Sequence, residues 1–224
     1  MQPEPNRVPS GPAATFHIPD LIPVFPLPNV VFFPRMYLPL HIFEPRYREM
    51  VADAADGGHC VGMALLKEGW EEEYYGNPPI YEIGCVGRLV SVEPLPDGRF
   101  NILLQGLRRF EIREQLFDRS YRRARIRLKT GGEGGFTDRA MRADLVRIAQ
   151  SYLAAKAEGH HWQELFRQNV DDEVLVHSLS TYLDLTPIEK QFLMEAEALQ
   201  QRARRLTDLL QFKLHERDDA KGWG

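Results

Sequence analysis

Phe25-Pro26-Leu27-Pro28-Asn29-Val30-Val31-Phe32-Phe33-Pro34 is the stretch on which the fold of the first half turns. It sits in an apolar run, Ile18 to Phe43, broken by Pro23, Pro26, Pro28, Pro34 and Pro39 and followed by Pro45. Each proline fixes φ and removes a backbone donor, so no helix runs here. Short strands separated by turns fit instead, one near Leu21–Phe25 and another near Tyr37–Ile42. The side chains have two readings: they plug the end of a β core, or they form an exposed apolar groove of the kind that receives peptides. Val31, Phe32 and Phe33 are consecutive, and an extended backbone does not send three consecutive side chains into one core. At least one of them is therefore expected at the surface.

Working outward, Glu44–Ala55 reads as a helix. Pro45 suits its first turn, Tyr47, Met50, Val51 and Ala54 repeat at helical spacing, and Gly57-Gly58 stops it. Phe43, Tyr47 and Phe110 are expected to be structural. From His59 to Leu128 the pattern is β. Cys60–Leu66 is a short apolar run, and Glu82–Leu95 carries Gly84 and Gly87 as bulge or close-approach points. Pro96-Asp97-Gly98 marks a turn, with strands at Arg99–Gln105 and Arg108–Phe117 after it. Tyr121–Leu128 alternates, with Ala124, Ile126 and Leu128 on one face and Arg123, Arg125 and Arg127 on the other.

Gly131–Gly135 reads as a linker, after which the period becomes helical. One helix is expected from Thr137 or Asp138 to Glu158, with Gly159 as its stop. A shorter one follows through His161–Gln168, and a third spans about Asp172 to Asp184. Thr186-Pro187-Ile188-Glu189 is a capping box opening a last helix to about Glu216, which carries Phe192, Leu199, Leu206, Leu209 and Leu210. Residues 1–17 are poor in apolar side chains and expected to form a loose tail. The division is then 1–17 tail, 18–130 β-rich subdomain and 131–224 helical subdomain. The class is α+β, a β pseudo-barrel with one helix followed by a helical bundle.

Composition narrows the function. The chain has 224 residues, 43% hydrophobic and 27% charged, with a net charge of -4. That is a globular composition with no global field toward nucleic acid or membrane. The longest apolar runs fall far short of the roughly 20 residues of a membrane span, and the N-terminus has no secretory pattern. Cys60 and Cys85 read as buried thiols of a reducing compartment, so a cytoplasmic protein is expected. No phosphate-cradling loop, dinucleotide fingerprint, nucleophile elbow or zinc spacing occurs, so no catalytic residue, metal or cofactor is expected. His41, His177 and the pair His160-His161 read as polar or satisfied histidines rather than ligands.

Arg108–Lys129 concentrates basic residues. Its candidates are Arg108, Arg109, Arg123, Arg125 and Arg127. The plain reading is a solvated strand face neutralised by acids; the functional one is a stripe for phosphate or acidic peptide.

Ile22-Pro23-Val24-Phe25-Pro26-Leu27, Phe33-Pro34 and Leu38-Pro39-Leu40-His41-Ile42-Phe43-Glu44-Pro45-Arg46-Tyr47 resemble, in order, the opening of the Lon protease N-terminal (substrate-binding) domain family. Tyr81–Gly87 is similar to that family's E-I-G-T-x-A strand. Leu104–Phe110 is similar to its x-x-G-x-x-R-F signature, and Asp97-Gly98-Arg99 to its hairpin. Tyr121-Arg122-Arg123-Ala124 fits Y-x-x-A. Lys190–Glu195 resembles K-Q-x-L-L-E, followed by Arg204-Arg205-Leu206. The resemblance runs from about Ile22 to Leu214. It departs at Arg35, where the family's turn has glycine, so a different turn shape is expected. The resemblance implies a PUA-like pseudo-barrel, a helical bundle, and binding of unfolded or apolar polypeptide as an adaptor or holdase, with a protease or chaperone as a possible partner. Phe25, Leu27, Val31, Phe32, Phe33 and Arg35 are the candidate polypeptide-binding residues. No room remains by Gly224 for the family's ATPase and peptidase domains, so no enzyme is expected. PUA-like folds also include RNA binders, which makes the basic stripe the alternative site, with nucleic acid the less favoured partner. The sequence leaves the oligomeric state open.

Overall fold

Proline placement, glycine close contacts and three changes of hydrophobic period account for the architecture. The computed structural model describes residues 16–130, 135–136, 138–155, 162–167 and 169–221. Most of the expected tail, most of the Gly131–Gly135 linker, Thr137, Gly159 and the His160-His161 pair lie outside the described residues. The chain divides into two compact units, one up to Lys129 and one from Thr130.

The first unit is a mixed six-stranded sheet with one α-helix. Its strands are β1 (Leu21–Leu27), β2 (Tyr37–Ile42), β3 (Cys60–Leu65), β4 (Ile83–Pro94), β5 (Phe100–Leu116) and β6 (Arg123–Leu128). Helix α1 (Pro45–Asp56) lies between β2 and β3. The strand order is β2-β5-β4-β3-β1-β6, with β1 and β3 parallel and the other neighbours antiparallel. The sheet curls without closing as a regular barrel. β5, read from sequence as two strands, is one long strand that gives its first half to β2 and its last to β6. Register shifts on either side of Leu89 and after Ile112 let it bend.

β6 keeps its alternation, with Ala124 and Ile126 buried and Arg125 and Arg127 exposed. The core joins Ile22, Val24, Val86, Phe110 and Ile112 to them, and Phe110 is fully buried. Gly62 and Gly84 leave the space that the Phe110 ring fills. Cys60 and Cys85 are free and buried. Helix α1 buries Tyr47, Met50, Val51 and Ala54, and Tyr47 packs on Phe25 with ring centroids 4.3 Å apart.

The second unit holds α2 (Arg139–Ala155), α3 (Asp172–Tyr182), α4 (Pro187–Met194) and α5 (Leu199–Lys221). Leu145, Ala149, Leu175, Leu179, Leu193, Leu206 and Leu210 form its interior. The capping box is present: the Glu189 amide donates to the Thr186 hydroxyl at 3.2 Å, and the Thr186 amide donates to the Glu189 carboxylate at 2.7 Å. Two expectations are corrected here. The last helix is two, because Arg202 is buried and its guanidinium donates to the carbonyls of Leu193 (2.9 Å) and Ala196 (3.2 Å), holding a turn where one helix was expected. Phe192 is exposed under the Arg205 guanidinium. Residues 162–167 form turns rather than a helix. No helix among the described residues is long and apolar enough to cross a membrane.

Candidate polypeptide-binding surface

The proline-rich segment holds the candidate residues. Phe25, Val31, Phe32 and Phe33 are all buried, Phe33 completely. Leu27 is half-buried and Arg35 exposed. The expectation that one of Val31, Phe32 and Phe33 reaches the surface is therefore corrected. Residues 30–33 are neither strand nor helix, so successive side chains are not forced to opposite faces. Two glycines on distant strands receive them: Phe32 lies on Gly87, and the Phe33 carbonyl lies on Gly106. The segment is a plug of the β core, and its side chains do not line an open groove. Arg35 has a φ of 68°, in the left-handed region that glycine adopts without strain.

Exposed apolar surface appears next door, on β2. This strand ends the sheet and pairs, among the described residues, with β5 alone. Its period of two turns Tyr37, Pro39 and His41 outward while Ile42 is buried. Phe43 continues the outward row at 60% exposure and Tyr37 stands at 53%. Phe43 is therefore surface rather than core, which corrects the structural role expected for it; Tyr47 and Phe110 are buried. The row is braced from the neighbouring strand β5. Gln105 Nε2 donates to the Tyr37 hydroxyl (3.1 Å), His41 Nδ1 lies 2.8 Å from Asn101 Oδ1, and Asn101 Nδ2 donates to Glu93 (3.2 Å). The His41 and Phe43 rings stack at 6.4 Å. The strand was expected from the sequence, and the signal for its outward row is the alternation Tyr37-x-Pro39-x-His41-x-Phe43.

The arginine-rich run is laced with acids. Arg113 (3.0 Å), Arg127 (2.7 Å) and Lys129 (4.0 Å) surround Glu111. Arg125 meets Glu114 at 3.1 Å, Arg123 pairs with Asp118, and Arg119 lies 3.9 Å from Asp53. The Arg127 hydrogen bond and the charges of Arg113 and Lys129 hold the Glu111 carboxyl below its ordinary range, and the Arg123 hydrogen bond does the same for Asp118. Arg109 is buried and Arg108 exposed. The five candidates of the stripe are thus split between core and surface, and Arg123, Arg125 and Arg127 each face a carboxylate.

Behind α1 lies a cavity of about 180 Å³ walled by Pro26, Arg46, Tyr47, Tyr74, Phe117 and Arg122 among others. Glu44 organises one side of it. Its carboxylate accepts from Arg46 Nε at 3.0 Å and from the Tyr74 hydroxyl at 2.5 Å. The Arg46 guanidinium lies over the Tyr47 and Tyr74 rings at 4.6 and 5.1 Å. Among the described residues, no cluster of His, Cys, Asp and Glu could hold a metal ion.

A family model described as the ATP-dependent protease La (LON) substrate-binding domain matches residues 21–211. The chain is 26% identical over 196 residues to the Lon protease of Cytophaga hutchinsonii, covering 86% of this chain and 24% of the relative. It is 28% identical over 191 residues to the Lon protease of Flavobacterium johnsoniae, covering 83% and 23%. The chain thus spans about a quarter of the length of these curated relatives. Among solved structures, the N-terminal domain of a Mycobacterium avium complex Lon protease superposes with a TM-score of 0.66 at 17% identity, over 85% of this chain and 98% of that one. A Lon N-terminal domain protein from Xanthomonas campestris gives 0.60 at 22% identity, over 85% and 96%.

Proposed function

Since this chain belongs to the Lon substrate-binding domain family, we propose that it holds unfolded or apolar polypeptide segments, without chemistry of its own, on the outward face of β2. In this reading it acts as a cytoplasmic adaptor or holdase that presents clients to a protease or chaperone. The observation that carries the reading is the row Tyr37, Pro39, His41 and Phe43, along an edge strand and the residue after it, two of its members large aromatic side chains more than half exposed. Aromatic side chains provide large contact area at low entropic cost and suit recognition of apolar residues. Pro39 has no N–H, which blunts backbone pairing by a passing strand and leaves side-chain contact as the main mode. Contacts of this kind are weak, about micromolar, because the client loses conformational entropy on binding.

The ion pairs along Arg113–Lys129 argue against the alternative, binding of RNA by the basic stripe, since a phosphate backbone needs cations that are not already matched by carboxylates. Hydrogen–deuterium exchange with reduced, carbamidomethylated lysozyme as client tests the proposal. Protection of residues 37–43 is expected. Absence of any binding, or protection confined to residues outside β2 and its neighbour β5, would overturn it.

A further inference from the structure

Resting on the polypeptide-binding reading, we propose that the cavity behind α1 captures a carboxylate of the bound polypeptide on the guanidinium of Arg122. Arg122 is only 6% exposed. Its Nη2 donates to the Pro78 carbonyl at 2.7 Å, while Nε and Nη1, both buried, find no hydrogen-bond acceptor among the described residues. The other two cations of the cavity are already matched: Arg46 by Glu44 at 3.0 Å and Arg119 by Asp53 at 3.9 Å. Burial lowers the pKa of Arg122, and the ionisable neighbours that act on it, Tyr47 and Arg46, include no carboxylate. One positive charge with two idle donors is left in a cavity that Tyr47, Tyr74 and Phe117 also line.

A buried ion without a counter-charge is costly, and a buried donor without an acceptor is rare enough to demand a reason. A carboxylate meets both needs, since its two oxygens accept side-on from Nε and Nη1 in the forked geometry that guanidinium presents. A single unmatched charge fits a single carboxylate. A nucleic acid repeats its charge and needs a row of free cations, which the pairing of Arg46 and Arg119 denies it. Access is through Phe117, whose ring is half exposed with its centroid 5.4 Å from the Arg122 guanidinium carbon. Exposed rings change rotamer rapidly, so the ring yields to an entering group. Tyr74, Tyr75 and Phe117 then flank the ligand, favouring a carboxylate on or beside an apolar residue. Arg122 falls between Tyr121 and Ala124, the two residues that match the family pattern there, and is not itself part of that pattern.

The test uses the whole chain, labelled with ¹⁵N, and reads arginine Nε–Hε signals. 3-Phenylpropionate is expected to shift the Arg122 signal, and 3-phenylpropionamide to leave it in place. A fluorescein-labelled Gly-Leu-Phe-Leu-Phe peptide with a free C-terminus is expected to bind about tenfold tighter than its amide. Arg122→Met should erase that preference, and Arg122→Lys, which keeps charge without the fork, should restore part of it. An amidated peptide carrying an internal Glu separates a side-chain carboxylate from a chain terminus. Equal shifts by acid and amide, or a preference that survives Arg122→Met, would overturn the site. A shift of Arg122 by an oligouridylate but not by 3-phenylpropionate would overturn it in favour of phosphate. Peptides that bind equally while the signal stays still would remove the carboxylate site and leave polypeptide binding standing. A carboxylate-driven shift with no peptide binding would do the reverse. If Arg122→Met fails to fold, the wild-type signals decide.

Discussion

The Cα of Gly106 lies beneath the carbonyl of Phe33, with no room between them for a Cβ. Two hydrogen bonds fix the approach: the Arg35 amide donates to the Gly106 carbonyl, and the Gly106 amide to the Met36 carbonyl, each at 2.8 Å. The core plug is thus seated by backbone on backbone, which has little freedom to yield. Gly106→Ala is predicted to cost about 2–3 kcal/mol, the upper part of the range for overpacking, read from urea denaturation. An unchanged midpoint would show that the plug is loosely held.

Arg35 sits in the left-handed region at φ 68°. That conformation costs an ordinary residue about 1–2 kcal/mol, part of which glycine returns through its greater freedom in the unfolded chain. Arg35→Gly is therefore predicted to raise stability by about 0.5–1 kcal/mol in the same assay. Loss of stability would mean that the contacts of the arginine side chain outweigh the strain.

Alkaline pH should weaken the first unit. Burial raises Cys60 from 9.0 to about 12 and Tyr47 from 10.0 to about 12. Burial, helped by the hydrogen bond it donates to Asp53, takes Tyr121 to about 12 as well. All three are raised, so their contribution is complete below the unfolded values of 9 to 10. It is lost as pH climbs through 12, where the unfolded chain has already released these protons. The urea midpoint is predicted to fall steadily between pH 9 and 12. Reaction of Cys60 with iodoacetamide at pH 8 should wait on unfolding. Rapid alkylation of native protein at Cys60 would contradict its burial.

In the second unit, Arg202 Nη1 lies 2.9 Å from His177 Nε2. Guanidinium only donates, so that nitrogen is the acceptor and the ring proton sits on Nδ1, 3.9 Å from Glu173. Arg202→Met leaves the Leu193 and Ala196 carbonyls and the His177 ring without these donors. It is predicted to cost about 2–4 kcal/mol, measured by thermal unfolding. A loss below about 0.5 kcal/mol would show that the turn between α4 and α5 holds without it.

Features set by local chemistry were legible in the sequence. The apolar face of α1, the alternation of β6 and the Thr186–Glu189 box each need only a few neighbouring residues. Features set by distant strands were not. Burial of Phe32 and Phe33 depends on Gly87 and Gly106, more than fifty residues away, and on a backbone that is neither helix nor strand. The break between α4 and α5 falls in Glu195-Ala196-Glu197-Ala198, good helix formers, and is held by Arg202 from beyond the break. Arg122 looked like one more surface arginine because burial of a charge leaves no mark on composition. Phe43 carried the family pattern, and that pattern does not say which way a side chain faces.

The central claim is that the outward face of β2 holds polypeptide, and one titration tests it most directly. Fluorescently labelled, reduced and carbamidomethylated lysozyme is titrated against wild type and against Tyr37→Ser, Phe43→Ser. Both side chains are more than half exposed, so the variant is predicted to melt within about 2 °C of wild type. Its affinity for the client is predicted to fall about tenfold or more, the scale of losing two aromatic contacts. Equal binding by a folded double variant would contradict the claim.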